Sequence, residues 1–272
     1  MRTVTFPDGS IVPVLGQGTW FMGENPSRRD AEIAALNVGL DLGMTLIDTA
    51  TMYGDGAAEE LVGDAIAGRR EEAFVVTKVL PWEADTAGVR ASVRGSLGRL
   101  GMDHVDLALL HWRGDIPLEE TVEGFESLIA AGEIGSWGVS NLDVDDLDDL
   151  PAGWATDQVL YYLTRRGPEL DLLPRLESAH IPAMAYSPIE QARLLENPAL
   201  AAIAAQAGLP ASGLALAWTL RSGNVLAIPK SGNAEHVRAD ARAADIVLEA
   251  DLVAALDAAF PAPVSKVSLQ ML

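Results

Sequence analysis

Asp48, Lys78 and His111 each stand at the end of a short apolar run, and Tyr53 follows Asp48 by five positions. These residue types suit protonation of a carbonyl oxygen. A phenol with an ordinary pKa of about 10 must be pulled down by roughly three units, worth roughly 4 kcal/mol, to exchange protons readily near neutrality. An ammonium beside it favours the phenolate, so Lys78 is expected to lower the Tyr53 pKa. A buried ammonium without a partner is strongly unfavourable, and Asp48 is expected to be that partner. His111, followed by Trp112, can donate a hydrogen bond to a carbonyl oxygen. Singly, Asp48 reads as a strand-end cap and Tyr53-Gly54-Asp55-Gly56 as a turn before a helix. Joined at matched strand ends, the four residues point to a catalytic site.

The elements that must bring them together are legible as an alternation. Apolar runs of strand length fall near residues 14–18, 45–48, 74–78, 105–110, 135–139, 156–159, 183–185 and 225–228, with apolar residues at helical spacing between them. Parallel strands need crossover helices and are buried on both faces, so eight strand-helix units predict an α/β fold, a single (β/α)8 TIM barrel. The residues closing the second, third and fourth strands are Asp48, Lys78 and His111, on the rim where such barrels carry their active sites. A doubly wound open sheet is the competitor, but Gly16-Gln17-Gly18-Thr19 lacks the third glycine of a dinucleotide fingerprint. Residues 4–6 and 11–13 flank Pro7-Asp8-Gly9-Ser10 and predict an N-terminal β-hairpin plugging one barrel end. Residues 249–260 predict an extra helix and the last dozen a tail over the surface. With no Ser/Pro-rich linker, residues 1–272 are expected to form one domain.

Composition narrows the chemistry. The chain of 272 residues contains no cysteine, which removes disulfide scaffolds, thiolate nucleophiles, zinc ribbons and iron–sulfur clusters. A formal net charge of −20 disfavours nucleic acid and anionic membrane as partners. There is no signal-peptide pattern and no apolar run of transmembrane length, so a soluble, cytoplasmic protein is expected. No heptad or broad apolar stripe calls for an oligomer, and a monomer is expected. Lysine occurs only at 78, 230 and 266, which makes each one informative.

Across nearly its whole length the chain resembles the aldo-keto reductases, specifically the short bacterial type similar to methylglyoxal and 2,5-diketogluconate reductases. The resemblance rests on Gly18-Thr19-Trp20, Ile47-Asp48-Thr49-Ala50 with Tyr53-Gly54, Val76-Thr77-Lys78, Leu110-His111-Trp112, Gly138-Val139-Ser140-Asn141, Gln158-Val159, Ala185-Tyr186-Ser187-Pro188 and Ile228-Pro229-Lys230-Ser231. It implies NADPH-dependent reduction of aldehydes and ketones, with NADH as a possible cofactor. Tyr53 would be the acid, tuned by Lys78 and Asp48, with His111 orienting the carbonyl. It also implies that Gly18, Thr19 and Trp20 border the cofactor, that Tyr186 stacks on the nicotinamide, and that Ser140, Asn141 and Gln158 hold its carboxamide. Ser187 and the following loop would contact the pyrophosphate, with Lys230 and Ser231 near the 2′-phosphate. His236 stands where the family usually has an arginine and Asp240 where an asparagine is common, and both departures weaken phosphate recognition. Asp157 likewise replaces a frequent asparagine.

Trp20, Trp82 and Trp112 follow strands and are expected to line an apolar substrate pocket, while Trp137, Trp154 and Trp218 are expected in the core. The region after the final helix is short, which implies an open, permissive pocket for small aldehydes or 2-oxoaldehydes such as methylglyoxal. His104 and His180 sit at helix-to-strand turns and belong to no site. No metal is expected, because Lys78 would place a positive charge beside the cation. The acidic run from Asp143 to Leu150 lacks the glycine and terminal glutamate of a calcium loop and reads as a solvated helix. The alternative function is a nicotinamide-binding, redox-sensing regulatory subunit with little turnover.

Overall fold

The computed structural model describes all 272 residues. Two short strands, β1 (Thr3–Thr5) and β2 (Ile11–Pro13), pair antiparallel as the predicted hairpin. Val4, Phe6 and Val12 are buried, and Phe6 packs on Phe74 at the start of a barrel strand, so the hairpin covers the N-terminal end of the barrel.

Eight parallel strands follow in sequence order: β3 (Gln17–Gly18), β4 (Leu46–Asp48), β5 (Phe74–Val79), β6 (Val105–Leu110), β7 (Ile134–Ser140), β8 (Asp157–Leu160), β9 (Ala183–Tyr186) and β10 (Val225–Ile228). The barrel closes through parallel bridges between Leu15 and Ala227 and between Gly18 and Lys230. Glycine is required at that seam. A Cβ on Gly18 would stand 2.9 Å from the Ile228 carbonyl oxygen, closer than a carbon can sit.

The outer layer is α1 (Arg29–Asp41), α2 (Ala57–Ala65), α3 (Thr86–Leu100), α4 (Leu118–Ala131), α5 (Val144–Leu147), α6 (Leu172–Ser178), α7 (Pro198–Ala207), α8 (Ala211–Thr219), α9 (Ala234–Ala243) and α10 (Ala250–Ala259). Side chains set several starts: Asp85 accepts from the Ala87 and Gly88 amides before α3, and Asn233 accepts from the Glu235 amide before α9. The predicted extra helix is α10. Inside the acidic run only α5 is helical, a single turn held by a capping box between Asp143 and Asp146, because Asp148 and Asp149 do not continue it. One continuous cluster of 70 buried apolar residues fills the barrel and the layer beneath the helices, and it includes Trp137, Trp154 and Trp218. No single helix is long and apolar enough to cross a membrane.

On β8 the strand pleat turns Gln158 toward Asp48 and its neighbour Asp157 away from the barrel interior. Asp157 is fully buried, with no side-chain partner and only the Leu142 and Asn141 backbone amides beside its carboxyl. Burial pushes its carboxyl well above the usual range; the Leu142 amide opposes that shift, and the nearby Asp143 and Asp146 add to it. A carboxyl whose folded pKa lies above its unfolded value of ~4 destabilises the fold increasingly as pH rises past that value. Asp157→Asn is therefore expected to raise the Tm by several degrees at pH ~8 and to leave it unchanged near pH ~3.5, measured by thermal unfolding across pH.

Candidate active site

Asp48 ends β4, Lys78 lies near the end of β5, and His111 directly follows β6, so three neighbouring strands deliver them to one rim. Tyr53 reaches the same point from the turn after β4. That turn contains Gly54, Asp55 and Gly56 in consecutive left-handed conformations, φ 57°, 54° and 93°. At Gly56 the φ of 93° is what requires glycine, the nearest atoms being those of the flexible Arg99 side chain.

The Lys78 ammonium uses its three donors on Asp48 Oδ1 at 2.7 Å, Asp48 Oδ2 at 2.8 Å and the Thr49 carbonyl at 2.8 Å, and it lies 3.4 Å from the Tyr53 hydroxyl. Gln158 Nε2 also donates to Asp48 Oδ1, at 2.7 Å, and the Thr19 hydroxyl donates to the Asp48 backbone carbonyl. Asp48 and Lys78 are 2% and 1% exposed, so their pairing is sheltered from solvent screening. The His111 ring meets Tyr53 edge-on, with centroids 5.9 Å apart. Its Nδ1 is buried without a partner, which leaves Nε2 as the nitrogen that opens to the cavity.

The charges correct one expectation. Burial and the Asp48 carboxylate hold the Tyr53 phenol well above its ordinary range instead of lowering it. Asp48 sits as close to Lys78 as a hydrogen bond allows and offsets the ammonium's pull on the phenol. Burial lowers the Lys78 pKa, and Asp48 opposes that shift. Burial first, then the Lys78 charge, push the His111 imidazole down to about 2, so it is neutral at physiological pH.

Two cavities meet at this cluster. The larger, about 550 Å³, is lined by Asp48, Tyr53, Gly18, Thr19, Trp20, Tyr186 and Ser187 together with Lys230, Ser231, His236 and Asp240. The smaller, about 290 Å³, is bounded by Tyr53, His111, Trp112, Ser140, Asn141 and Gln158. Trp20, Tyr53 and Tyr186 belong to both, so a groove and a pocket share one wall. Tyr186 is fixed there by donating to Asn141 Oδ1 at 2.9 Å, while Asn141 Nδ2 donates to the His111 carbonyl and the Ser140 hydroxyl.

Trp82 is corrected: it is 65% exposed, packs edge-on against Trp112 at 5.8 Å, and does not itself line the pocket. The pocket is also less open than expected. The C-terminal tail is anchored by Lys266, paired to Asp143 and Asp171, and returns to the rim so that Met271 and Leu272 form pocket wall. Met52 was a further miss, as were Gln191, Ala192 and Ser212 along the groove. Gln191 and Ala192 adopt left-handed φ of 54° and 72° without being glycine, a strained conformation that sequence does not signal.

Comparison with known proteins matches the profile described as the Aldo/keto reductase family to residues 14–260. The chain belongs to the aldo/keto reductase family. This reductase is 45% identical to methylglyoxal reductase YeaE of Escherichia coli over 99% of each chain. It is 34% identical to an aldo-keto reductase of Mycolicibacterium smegmatis, over 92% of this chain and 87% of that one. A solved aldo/keto reductase from Klebsiella pneumoniae, in complex with NADP and acetate, superposes with a TM-score of 0.96 at 47% identity, covering 100% of this reductase and 99% of the other chain. The parallel barrel, the N-terminal hairpin and the oxidoreductase class are thus common ground between this reductase and its relatives.

Proposed function

We propose that this reductase converts small aldehydes and ketones, 2-oxoaldehydes among them, to alcohols with NADPH, Tyr53 giving the proton. The observation that carries this is the meeting of groove and pocket at the Tyr53 hydroxyl, 3.4 Å from Lys78. The groove suits an anionic dinucleotide. Lys230 lies partly buried in its wall with no ion pair and no side-chain hydrogen bond, and Ser187, Ser231 and His236 add polar groups along its length. Gly18, Thr19 and Trp20 would border the nucleotide, Tyr186 would stack on the nicotinamide, and Ser140, Asn141 and Gln158 would face its carboxamide. Bound there, the reduced nicotinamide supplies hydride.

The chain's own residues do the rest. Neutral His111 offers an Nε2–H to the carbonyl oxygen and fixes its position beside the Tyr53 hydroxyl. The phenol's raised pKa keeps its proton in place until negative charge grows on that oxygen, which then takes it. Lys78 stabilises the phenolate left behind, and Asp48 keeps Lys78 charged. Trp20, Trp112, Met52, Met271 and Leu272 exclude water and favour an apolar or aromatic substituent. We read residues 1–272 as one barrel unit acting as a monomer, with groove and pocket both lined within that barrel. Reduced nicotinamide is supplied in the cytoplasm, where we place the enzyme. The name of the E. coli relative supports a 2-oxoaldehyde substrate.

The test is steady-state oxidation of NADPH, and separately NADH, with methylglyoxal and an activated aromatic aldehyde. Turnover with NADPH preferred is the expected result, and tight cofactor binding without turnover would overturn it. At saturating cofactor, kcat/KM for the aldehyde is expected to be flat between pH ~6 and ~9, because Tyr53 stays protonated and His111 stays neutral throughout. A limb centred near ~6.5, the ordinary histidine value, would show that His111 titrates during catalysis.

A further inference from the structure

In the wall of the groove, one carboxyl stands without a partner. Asp240 on α9 is 6% exposed, lines the groove, and makes neither a hydrogen bond nor an ion pair. The elements packed against α9 are α1 and α8. Among their residues, α8 contains no titratable side chain and offers Ser212 to the groove. On α1, Glu32 is held by the Gly23 amide and lies near Arg28, Arg29 pairs with Asp64, Asp41 pairs with Arg69, and Asp30 is exposed. On α9 itself, Glu235 pairs with Arg238, His236 is exposed one turn before Asp240, and Arg242 is exposed. Lys230 faces the same cavity from the end of β10. None of these charges reaches Asp240, and burial alone pushes its carboxyl up to about 7.

A neutral carboxylic acid presents a donor beside an acceptor, whereas a carboxylate presents acceptors only. The edge of adenine also presents a donor beside an acceptor, its amino group and N7, which is why side-chain amides pair with it in two bonds. We propose that Asp240 reads the adenine of the nicotinamide dinucleotide as the neutral acid, so that ionisation of this one carboxyl loosens the cofactor. This rests on the cofactor assignment above. In effect Asp240 mimics an amide below neutrality and turns against the nucleotide above it, making cofactor retention a function of pH.

The experiment is fluorescence titration of the cofactor-free protein with NADH from pH ~5.5 to ~9, for wild type, Asp240→Asn and Asp240→Ala. NADH is the probe because the 2′-phosphate of NADPH titrates near ~6 and would confuse the profile. In wild type the Kd is expected to rise once pH passes the carboxyl's range, approaching about tenfold per pH unit. Asp240→Asn should be flat across the range and bind about tenfold or more tighter than wild type at the alkaline end. Asp240→Ala should be flat and uniformly weaker than Asp240→Asn, since it lacks the paired hydrogen bonds. Calorimetry at pH ~8 in two buffers of different ionisation enthalpy should show proton uptake on binding in wild type and none in Asp240→Asn. Equal pH slopes in wild type and Asp240→Asn would overturn the role of Asp240 while leaving the cofactor site intact. Failure of every protein to bind either NADH or NADPH would overturn the cofactor site and this inference together.

Discussion

Tyr53→Phe is expected to lower kcat for aldehyde reduction by about 10²–10⁴-fold while changing the NADPH Kd by less than about twofold. The size follows from what the hydroxyl does. Of the two phenols at the wall shared by groove and pocket it is the one beside Lys78, Tyr186 being engaged with Asn141, and phenylalanine keeps the ring and its packing against Trp20 and His111. The loss should therefore fall on kcat and kcat/KM together, as expected for an interaction made only in the transition state. The two quantities are separated by steady-state kinetics and by fluorescence titration of the variant with NADPH. A variant retaining near-normal turnover would remove Tyr53 as the acid, and a variant unable to bind NADPH would show that the ring had moved.

Lys78→Met is expected to be the most destabilising change at the site. The methionine fills the same volume but leaves the Asp48 carboxylate, 2% exposed, with Gln158 as its remaining side-chain donor. Breaking one partner out of a buried pair costs about 3–5 kcal/mol, because the surviving charge is left uncompensated. For a chain of this size that corresponds to a fall in Tm of about 10 °C. Adding Asp48→Asn removes the stranded charge, so the double variant should recover most of the lost Tm while remaining inactive, since the phenolate of Tyr53 still has no ammonium beside it. Thermal unfolding of the two single variants and the double variant measures the coupling directly. Equal and additive losses would mean that the pair contributes nothing beyond its separate members.

Much of this architecture is legible in the sequence because parallel strands buried on both faces read as apolar runs. A charged residue interrupting such a run then stands out, as Asp48, Lys78 and His111 do. The hairpin, the eight strands and the extra helix α10 follow from local pattern alone. What escaped depends on contacts between residues far apart in the chain. Met271 and Leu272 reach the pocket because Lys266 ties the tail to Asp143 and Asp171, a link with no local signature. Trp82 is one residue type and one strand end away from being pocket wall, yet Trp112 stands between it and the cavity side of the rim. The sign of the Tyr53 shift is not legible locally because its largest cause is burial, set by packing of segments far apart in the chain, with the Asp48 carboxylate adding to it. The short α5 reflects the same limit: an acidic stretch with helical spacing winds only as far as its capping box supports it.

The most direct test of the central claim is a single-turnover experiment in which the protein, loaded with one equivalent of NADPH, is mixed with methylglyoxal and the nicotinamide absorbance is followed. With proton and hydride delivered at the wall shared by the two cavities, the absorbance should fall completely, with one alcohol formed per NADPH, and the same loaded complex of Tyr53→Phe should hold its absorbance far longer. A wild-type complex that binds NADPH and keeps its absorbance with methylglyoxal and aromatic aldehydes alike would contradict catalysis and leave a nicotinamide-binding regulatory protein in its place.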